Sequence, residues 1–363
     1  MQGLLTALAR GFKRWIGWKR LGIAASLFII AFAITTLVRT LKGVDTGVIV
    51  TALTEIPTGR IALAALCVVC AFCTLTFYDF FALRTIGKKH VPYRIAALSS
   101  FASYSIGHNI GATVFTGGAI RFRIYSDYGL NAIDVAKICF LSGLTFWLGN
   151  LVVLGIGLVY YPSAASAMDL LPEAMNRLIG IGCLSGIAMY FGWLMLGENR
   201  RELGQNGWKV VLPSARLTLV QVLIGVVDLT FCATAMYLLI PDQPHIAFLS
   251  LAVVFILATL LGFASHAPGS IGVFDAAMLV ALPQLGREQL LATLLVFRVL
   301  YFVIPFTIAI SIMGTRELWL NVVMPWQKRR KLNGNSDDTP KAPVSAARPA
   351  PAAFSRPAKR RKV

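Results

Sequence analysis

Six stretches of the sequence, at 21–41, 61–83, 133–161, 177–197, 215–240 and 289–314, are long, apolar and almost free of charge. A helix needs about 20 such residues to cross a bilayer core, and only a helix or a closed barrel satisfies its own backbone hydrogen bonds where water is absent. The pattern predicts an all-α, polytopic membrane protein with about six full spans. Composition agrees: 57% of the 363 residues are hydrophobic, 14% are charged and the mean hydropathy is +0.71. Globular chains sit at about 45–50% apolar and about 25% charged. A soluble enzyme, a disordered chain and a disulfide-stapled secreted protein are thereby excluded.

Two further apolar regions do not read as plain helices. Residues 95–120 are interrupted by Gly107, Gly111, Gly117 and Gly118, and residues 245–283 by Pro268, Gly269 and Gly272. Basic residues set the orientation of the spans between them. Of the 34 Lys and Arg residues, 28 lie in 1–20, 84–94, 121–137, 198–216 and 315–363, whereas the alternate loops hold five. The rich set is expected on the cytoplasmic side, with both termini. Region 95–120 must then enter from the cytoplasm and return to it, and region 245–283 must dip in from the opposite face, as re-entrant or paired short helices. Units of span, hairpin and span result at 61–161 and 215–314, an inverted-topology repeat. Asp79 precedes Gly117 by 38 residues and Asp228 precedes Gly269 by 41, a similar spacing in each unit. Such repeats with interrupted helices are frequent in secondary transporters, with the substrate path between the hairpins. The expected domains are a basic cytoplasmic N-terminus at 1–20, a transmembrane domain at 21–314 and a basic, disordered tail at 315–363.

The net charge of +18 comes mostly from the two ends: residues 1–20 hold five basic and no acidic groups, and residues 327–363 eleven basic and two acidic. Anionic phospholipid is the expected partner of these ends, at roughly 1 kcal/mol per basic residue near the surface, and no nucleic acid is expected. All six cysteines fall in apolar segments, so no disulfide is expected, and Cys67, Cys70 and Cys73 lack the fourth thiolate of an iron–sulfur run. No His/Cys/Asp/Glu set has metal-site spacing, no cofactor is implied, and no phosphate-binding G-x-x-x-x-G-K-[ST] loop is present. The spacing of Gly182 and Gly186 permits close helix contact, within the bundle or in a homodimer.

Charges at membrane depth are rare because each costs about 2.5–3.5 kcal/mol at a helix centre on insertion scales. Here they are Asp79, Asp228, Asp275 and Arg298, with Arg121 and Arg123 near the first interruption. Asp228 and Arg298 both fall near mid-span, so Asp228–Arg298 or Asp275–Arg298 would neutralise charge. An arginine also suits bidentate binding of a lipid phosphate. The run 116–125, with Gly117, Gly118, Arg121 and Arg123, offers glycine-freed amides beside two arginines, and the run 266–275 offers free backbone around Gly269 on the other face. The candidate headgroup-binding residues are therefore Arg121, Arg123, Arg298, Gly117, Gly118 and Gly269; Asp79, Asp228 and Asp275 are candidates for charge or proton relay. His108 and His266 are weaker candidates, since a buried histidine often only satisfies nearby carbonyls.

The stretches Tyr78-Asp79, Gly117-Gly118-x-x-Arg121-x-Arg123-x-Tyr125, 268–275 (Pro-Gly-Ser-Ile-Gly-Val-Phe-Asp) and 298–305 (Arg-Val-Leu-Tyr-Phe-Val-Ile-Pro) resemble the lysylphosphatidylglycerol synthetase/flippase membrane-domain family over roughly residues 20–315. The resemblance implies an inner-membrane domain that moves a modified phospholipid between leaflets, here without the separate synthase domain of the multiple peptide resistance factor branch. It also implies that the family's acidic and arginine positions fall on Asp79, Arg121, Asp275 and Arg298. Asp275 departs from a more frequent Glu, which leaves the cargo open; hopanoid and other envelope lipids are alternatives. The expected function is a flippase-like lipid translocase of the bacterial inner membrane, not an enzyme. The rivals are a membrane enzyme of envelope-lipid modification, or a scaffold partnering a lipid synthase encoded elsewhere.

Overall fold

The computed structural model describes residues 54–111, 113–196, 210–265 and 267–319, with Gly47, Thr51 and residues 202–203. The expected first span at 21–41, the basic N-terminus, most of the basic tail and His266 lie outside the described residues. The chain divides into two compact units, Met1–Met313 and Gly314–Val363. The site lies wholly in the first; in the second, the described residues 314–319 are helical.

The described chain is helical throughout its membrane part. Helix α1 (Thr58–Thr85) starts after Pro57, which has no N–H to lose at a helix start. It is followed by α2 (Tyr93–Ile110) and α3 (Thr113–Tyr125), of 18 and 13 residues. Helix α4 (Ala132–Tyr160) is opened by a reciprocal cap: the Asp134 amide donates to the Asn131 side chain at 2.8 Å and the Asn131 amide to Asp134 at 3.2 Å. A short α5 (Pro162–Asp169) leads into α6 (Glu173–Met195). Residues Glu202–Leu203 and Val210–Val211 form a two-residue antiparallel pair, the one departure from helix among the described elements. Helix α7 (Ala215–Leu239) is capped by Ser214, and α8 (Phe248–Ala264), a turn at Pro268–Ser270 and α9 (Val273–Ala281) follow. Helices α10 (Arg287–Arg298) and α11 (Ile304–Leu318) are joined by a π-helical turn at Val299–Val303. Pro305 supplies no N–H to the preceding turn, which accounts for the wide turn at that point.

Five helices among the described residues are long and apolar enough to cross a membrane: α1, α4, α6, α7 and the composite Arg287–Arg316. They coincide with five of the six spans read from the sequence, and the chain is an all-α polytopic membrane protein. The two interrupted regions are each a helix, a break and a second, shorter helix.

Two details differ from the sequence reading. The first interruption falls at Gly111, whose φ of 82° only glycine adopts without strain. Gly117 and Gly118 lie inside α3, so their amides belong to a helix and are not free to bind an anion. Gly117 is required for space instead: an added Cβ would sit 3.3 Å from the Ser103 carbonyl oxygen and 3.2 Å from Arg121 Nη1. The second difference concerns Gly182 and Gly186, beside which no atom lies within 4 Å of an added Cβ. The close approach of α6 to α4 is made by Gly180, whose Cβ would meet the Gly155 carbonyl oxygen at 2.9 Å.

The centre of the bundle is α1 packed on α7, with α4 crossing α7 at Gly149 and Gly225, where an added Cβ on Gly149 would lie 2.7 Å from the Gly225 backbone. One buried cluster gathers Phe72, Tyr78, Phe255, Phe274 and Phe297; a second gathers Leu83, Ile124, Tyr125, Ile138 and Leu141. Helix α6 is the peripheral member and keeps most of its apolar surface exposed, as a lipid-facing helix does. All six cysteines are free thiols.

Candidate functional site

The charges at membrane depth sort themselves into two ion pairs and one remainder. Asp79 of α1 is fully buried and holds Arg121 of α3 in a fork. Arg121 Nε lies 3.1 and 3.0 Å from the two carboxylate oxygens, and Nη2 lies 2.9 Å from Oδ1. The Tyr125 hydroxyl donates to Asp79 Oδ2 at 2.8 Å, and the Ser142 hydroxyl of α4 donates to Oδ1 at 3.2 Å. The guanidinium also rests over the Tyr104 ring of α2, 5.0 Å from its centroid. Four helices thus meet around this one pair, because a buried charge must be both paired and fully hydrogen-bonded to be tolerated.

Asp275 and Arg298 form the second pair. Asp275 stands in the first turn of α9 and accepts from the Gly272 amide at 3.0 Å. Arg298, at the end of α10 beside the π turn, donates from Nη2 to Oδ2 at 2.6 Å and from Nε to Oδ1 at 3.0 Å. Its Nη1 donates to the Gly269 carbonyl at 2.9 Å, and Nη2 approaches the Ser270 carbonyl at 3.4 Å. Gly269 and Ser270 both have positive φ, 60° and 52°, so the arginine ties down the strained part of the break. Of the two pairings open in the sequence, Asp275–Arg298 forms and Asp228–Arg298 does not.

Asp228 is the remainder. It is 4% exposed and, among the described residues, meets no basic side chain. Its oxygens lie 3.2 Å from the Tyr78 hydroxyl and 3.3 Å from the Thr74 hydroxyl, both on α1. Arg123 stands apart from all of this: its side chain is 43% exposed and pairs at 3.5 Å with Asp127, one turn on. Gly118 makes only ordinary contact, a Cβ there lying 3.7 Å from Cys139 Sγ.

A cavity of about 260 Å³ opens between the two interrupted regions, lined by Tyr104, His108, Arg121, Ser142, Phe263 and Ser270 among others. At its edge Val114, Phe115 and Trp147 are largely exposed, giving the cavity an apolar border. A smaller cavity of about 50 Å³ lies deeper, lined by Asp228, Cys232 and Tyr301, and shares Tyr104, His108, Phe146, Phe263 and Ser270 with the first. Arg121 therefore faces the larger space and Asp228 the smaller. Asp79, Asp275, Arg298, Gly117 and Gly269 stand behind the walls and hold them in place. Among the described residues no group of three or more His, Cys, Asp or Glu side chains is placed to hold a metal ion.

The sequence reading missed the hydroxyls of Thr74, Tyr78, Tyr125 and Ser142 as partners of the carboxylates. Spacing offered a partial signal: Tyr125 follows Arg121 by four residues and Tyr78 follows Thr74 by four, each on one helical face.

No family profile matches the chain. Individual relatives do. The chain is 29% identical over 265 residues to the uncharacterized protein slr0712 of Synechocystis, spanning 73% of this chain and 80% of that one. It is 30% identical over 238 residues to the inner membrane protein YbhN of Escherichia coli, spanning 64% of this chain and 72% of that protein. The chain belongs to the YbhN family. A more distant likeness, 24% over 300 residues, joins 80% of this chain to one third of the phosphatidylglycerol lysyltransferase of Staphylococcus aureus. The YbhN family is thereby linked to a part of that larger protein, in agreement with the resemblance read from the motifs. In this YbhN-family chain the quoted motifs are the ones that supply Asp79, Arg121, Tyr125, Asp275 and Arg298.

Proposed function

We propose that this YbhN-family chain is a lipid translocase, which passes the polar headgroup of a phosphate-bearing envelope lipid through the larger cavity while the acyl chains stay in the bilayer. The observation that supports the reading is the pairing of an arginine-lined cavity with an apolar, exposed border at Val114, Phe115 and Trp147. A headgroup needs the first and its tails need the second. Arg121 is the residue that meets the phosphate, since a guanidinium binds phosphate and carboxylate with the same fork. Arg298 and Gly269 act by holding the Pro268–Ser270 turn at the cavity wall.

The reading includes an inverted repeat of 61–161 and 215–314, with the two interrupted regions entering from opposite faces of a bacterial inner membrane and both termini cytoplasmic. It treats the chain as a carrier rather than an enzyme. Its support from relatives is the lipid in the name of the lysyltransferase, phosphatidylglycerol.

The test is leaflet exchange in proteoliposomes containing fluorescent phospholipids of several headgroup classes. Wild type is expected to accelerate exchange of at least one class, and Arg121→Lys, which keeps charge but loses the fork, is expected to slow it by about tenfold or more. Intact wild type that accelerates no class removes the translocase reading in favour of an enzyme or scaffold.

A further inference from the structure

Among the described residues, Asp228 is the one carboxylate at membrane depth that the two arginine pairs leave over, and its surroundings bear on its charge. The Thr74 hydroxyl lies 2.6 Å from the Ala71 carbonyl and only at 3.3 Å from Asp228 Oδ1, so it is shared between the two. Tyr78, from the same helix, donates to the other oxygen at 3.2 Å. Two long contacts from neutral hydroxyls give a buried carboxylate neither the cation nor the short hydrogen bonds that a buried charge requires, which favours the neutral acid. Asp79 differs: it receives hydrogen bonds from Arg121, Tyr125 and Ser142 as a carboxylate does.

The surroundings agree. The polar groups that face the small cavity are Tyr104 and His108 of α2, Cys232 of α7 itself, Thr259 of α8, Ser270 of the turn and Tyr301 of the π turn, with Thr74 and Tyr78 of α1 beyond the carboxylate. None brings a fixed positive charge. The imidazole of His108 lies in the wall common to both cavities, 5.6 Å from the Tyr104 ring and 5.4 Å from the Phe263 ring between centroids. With Tyr104, it is one of the two titratable groups in that common wall, and the one whose ring nitrogens can both accept and donate a proton.

We infer that Asp228 is a proton-binding site that exchanges its proton with the larger cavity by way of His108, so that lipid movement is coupled to a proton. The balance is simple: Asp228 takes up one proton from the water of one face and releases one to the other during a cycle, and no covalent bond of the lipid changes. This inference rests on the translocase reading for its coupling, but the proton site itself does not.

Two measurements on the full chain separate the two claims. Infrared difference spectra of wild type minus Asp228→Asn, at neutral pH in bilayers, are expected to show the carbonyl stretch of a protonated carboxylic acid. Proteoliposomes carrying an imposed pH gradient, loaded with the same fluorescent phospholipids, are expected to shift the leaflet ratio by about tenfold per pH unit for one proton per lipid, with no response to a sodium gradient. Asp228→Asn is expected to lose the gradient response, and Asp228→Glu to retain it. Lipid exchange that ignores the pH gradient, together with no carboxylic acid band, overturns the inference and leaves the translocase standing. A response to sodium alone also overturns it, since the site would then hold a metal cation. The band without any lipid movement upholds the proton site and removes the translocase.

Discussion

The two ion pairs share a chemistry and differ in what they hold. Asp79–Arg121 joins whole helices: its partners come from α1, α3 and α4, and the nearby break at Gly111 is managed separately. There the Thr113 hydroxyl reaches the Gly107 carbonyl at 3.3 Å, the Thr116 hydroxyl reaches the Gly111 carbonyl at 3.2 Å, and the Asn109 amide reaches the Phe302 carbonyl at 3.1 Å. Asp275–Arg298 holds the break itself, taking the Gly269 and Ser270 carbonyls and the cap of α9 in one guanidinium. An ion pair buried among helices is a joint between rigid bodies. An ion pair that gathers loop carbonyls is a clamp on local backbone. The first should govern whether the bundle survives, and the second whether one wall of the cavity keeps its shape.

The sharpest way to break this comparison is to remove each arginine. Arg121→Ala leaves Asp79 buried without a cation and is expected to destabilise the bundle by about 3–5 kcal/mol, read as a large fall in thermal midpoint in detergent. Adding Asp79→Leu to an Arg121→Met chain should recover much of that loss, because it is the orphaned charge that costs most. Arg298→Ala is expected to cost less globally, since Asp275 keeps the Gly272 amide and sits nearer solvent. Its effect should be local: hydrogen exchange across 267–275 should accelerate while α1 and α7 stay protected. Equal global losses for the two variants would sink the distinction between joint and clamp.

Smaller effects sharpen the account of the glycines and of the exposed pair. Gly117→Ala is expected to destabilise by about 1–2 kcal/mol because its methyl meets the Ser103 backbone and Arg121. Gly118→Ala, one residue on, has room and should stabilise by up to about 1 kcal/mol through helix propensity. Thermal midpoints of the two single variants, opposite in sign, check this. Arg123→Ala should change stability by less than about 0.5 kcal/mol, as an exposed pair one helical turn apart contributes little.

Much of this protein is legible in its residues taken one at a time. Hydropathy is a sum over local composition, so the described spans, the membrane class and the two interrupted regions follow from the sequence. The second break lies where the sequence puts it, because Pro268, Gly269 and Gly272 all act on their own backbone. The first lies at Gly111, ahead of the Gly117-Gly118 pair: a glycine needed for a neighbour's space looks the same in sequence as a glycine needed for a turn, and only packing separates the two. Candidate charges are visible because membrane-depth charge is rare. Their partners are legible only in part: Asp275–Arg298 is one of two pairings the sequence leaves open, whereas Asp79 and Arg121 are 42 residues apart and Tyr78 and Asp228 are 150. Tertiary structure decided which carboxylates receive an arginine and which is left to hydroxyls, because that choice depends on which helix faces meet and local composition carries no record of it.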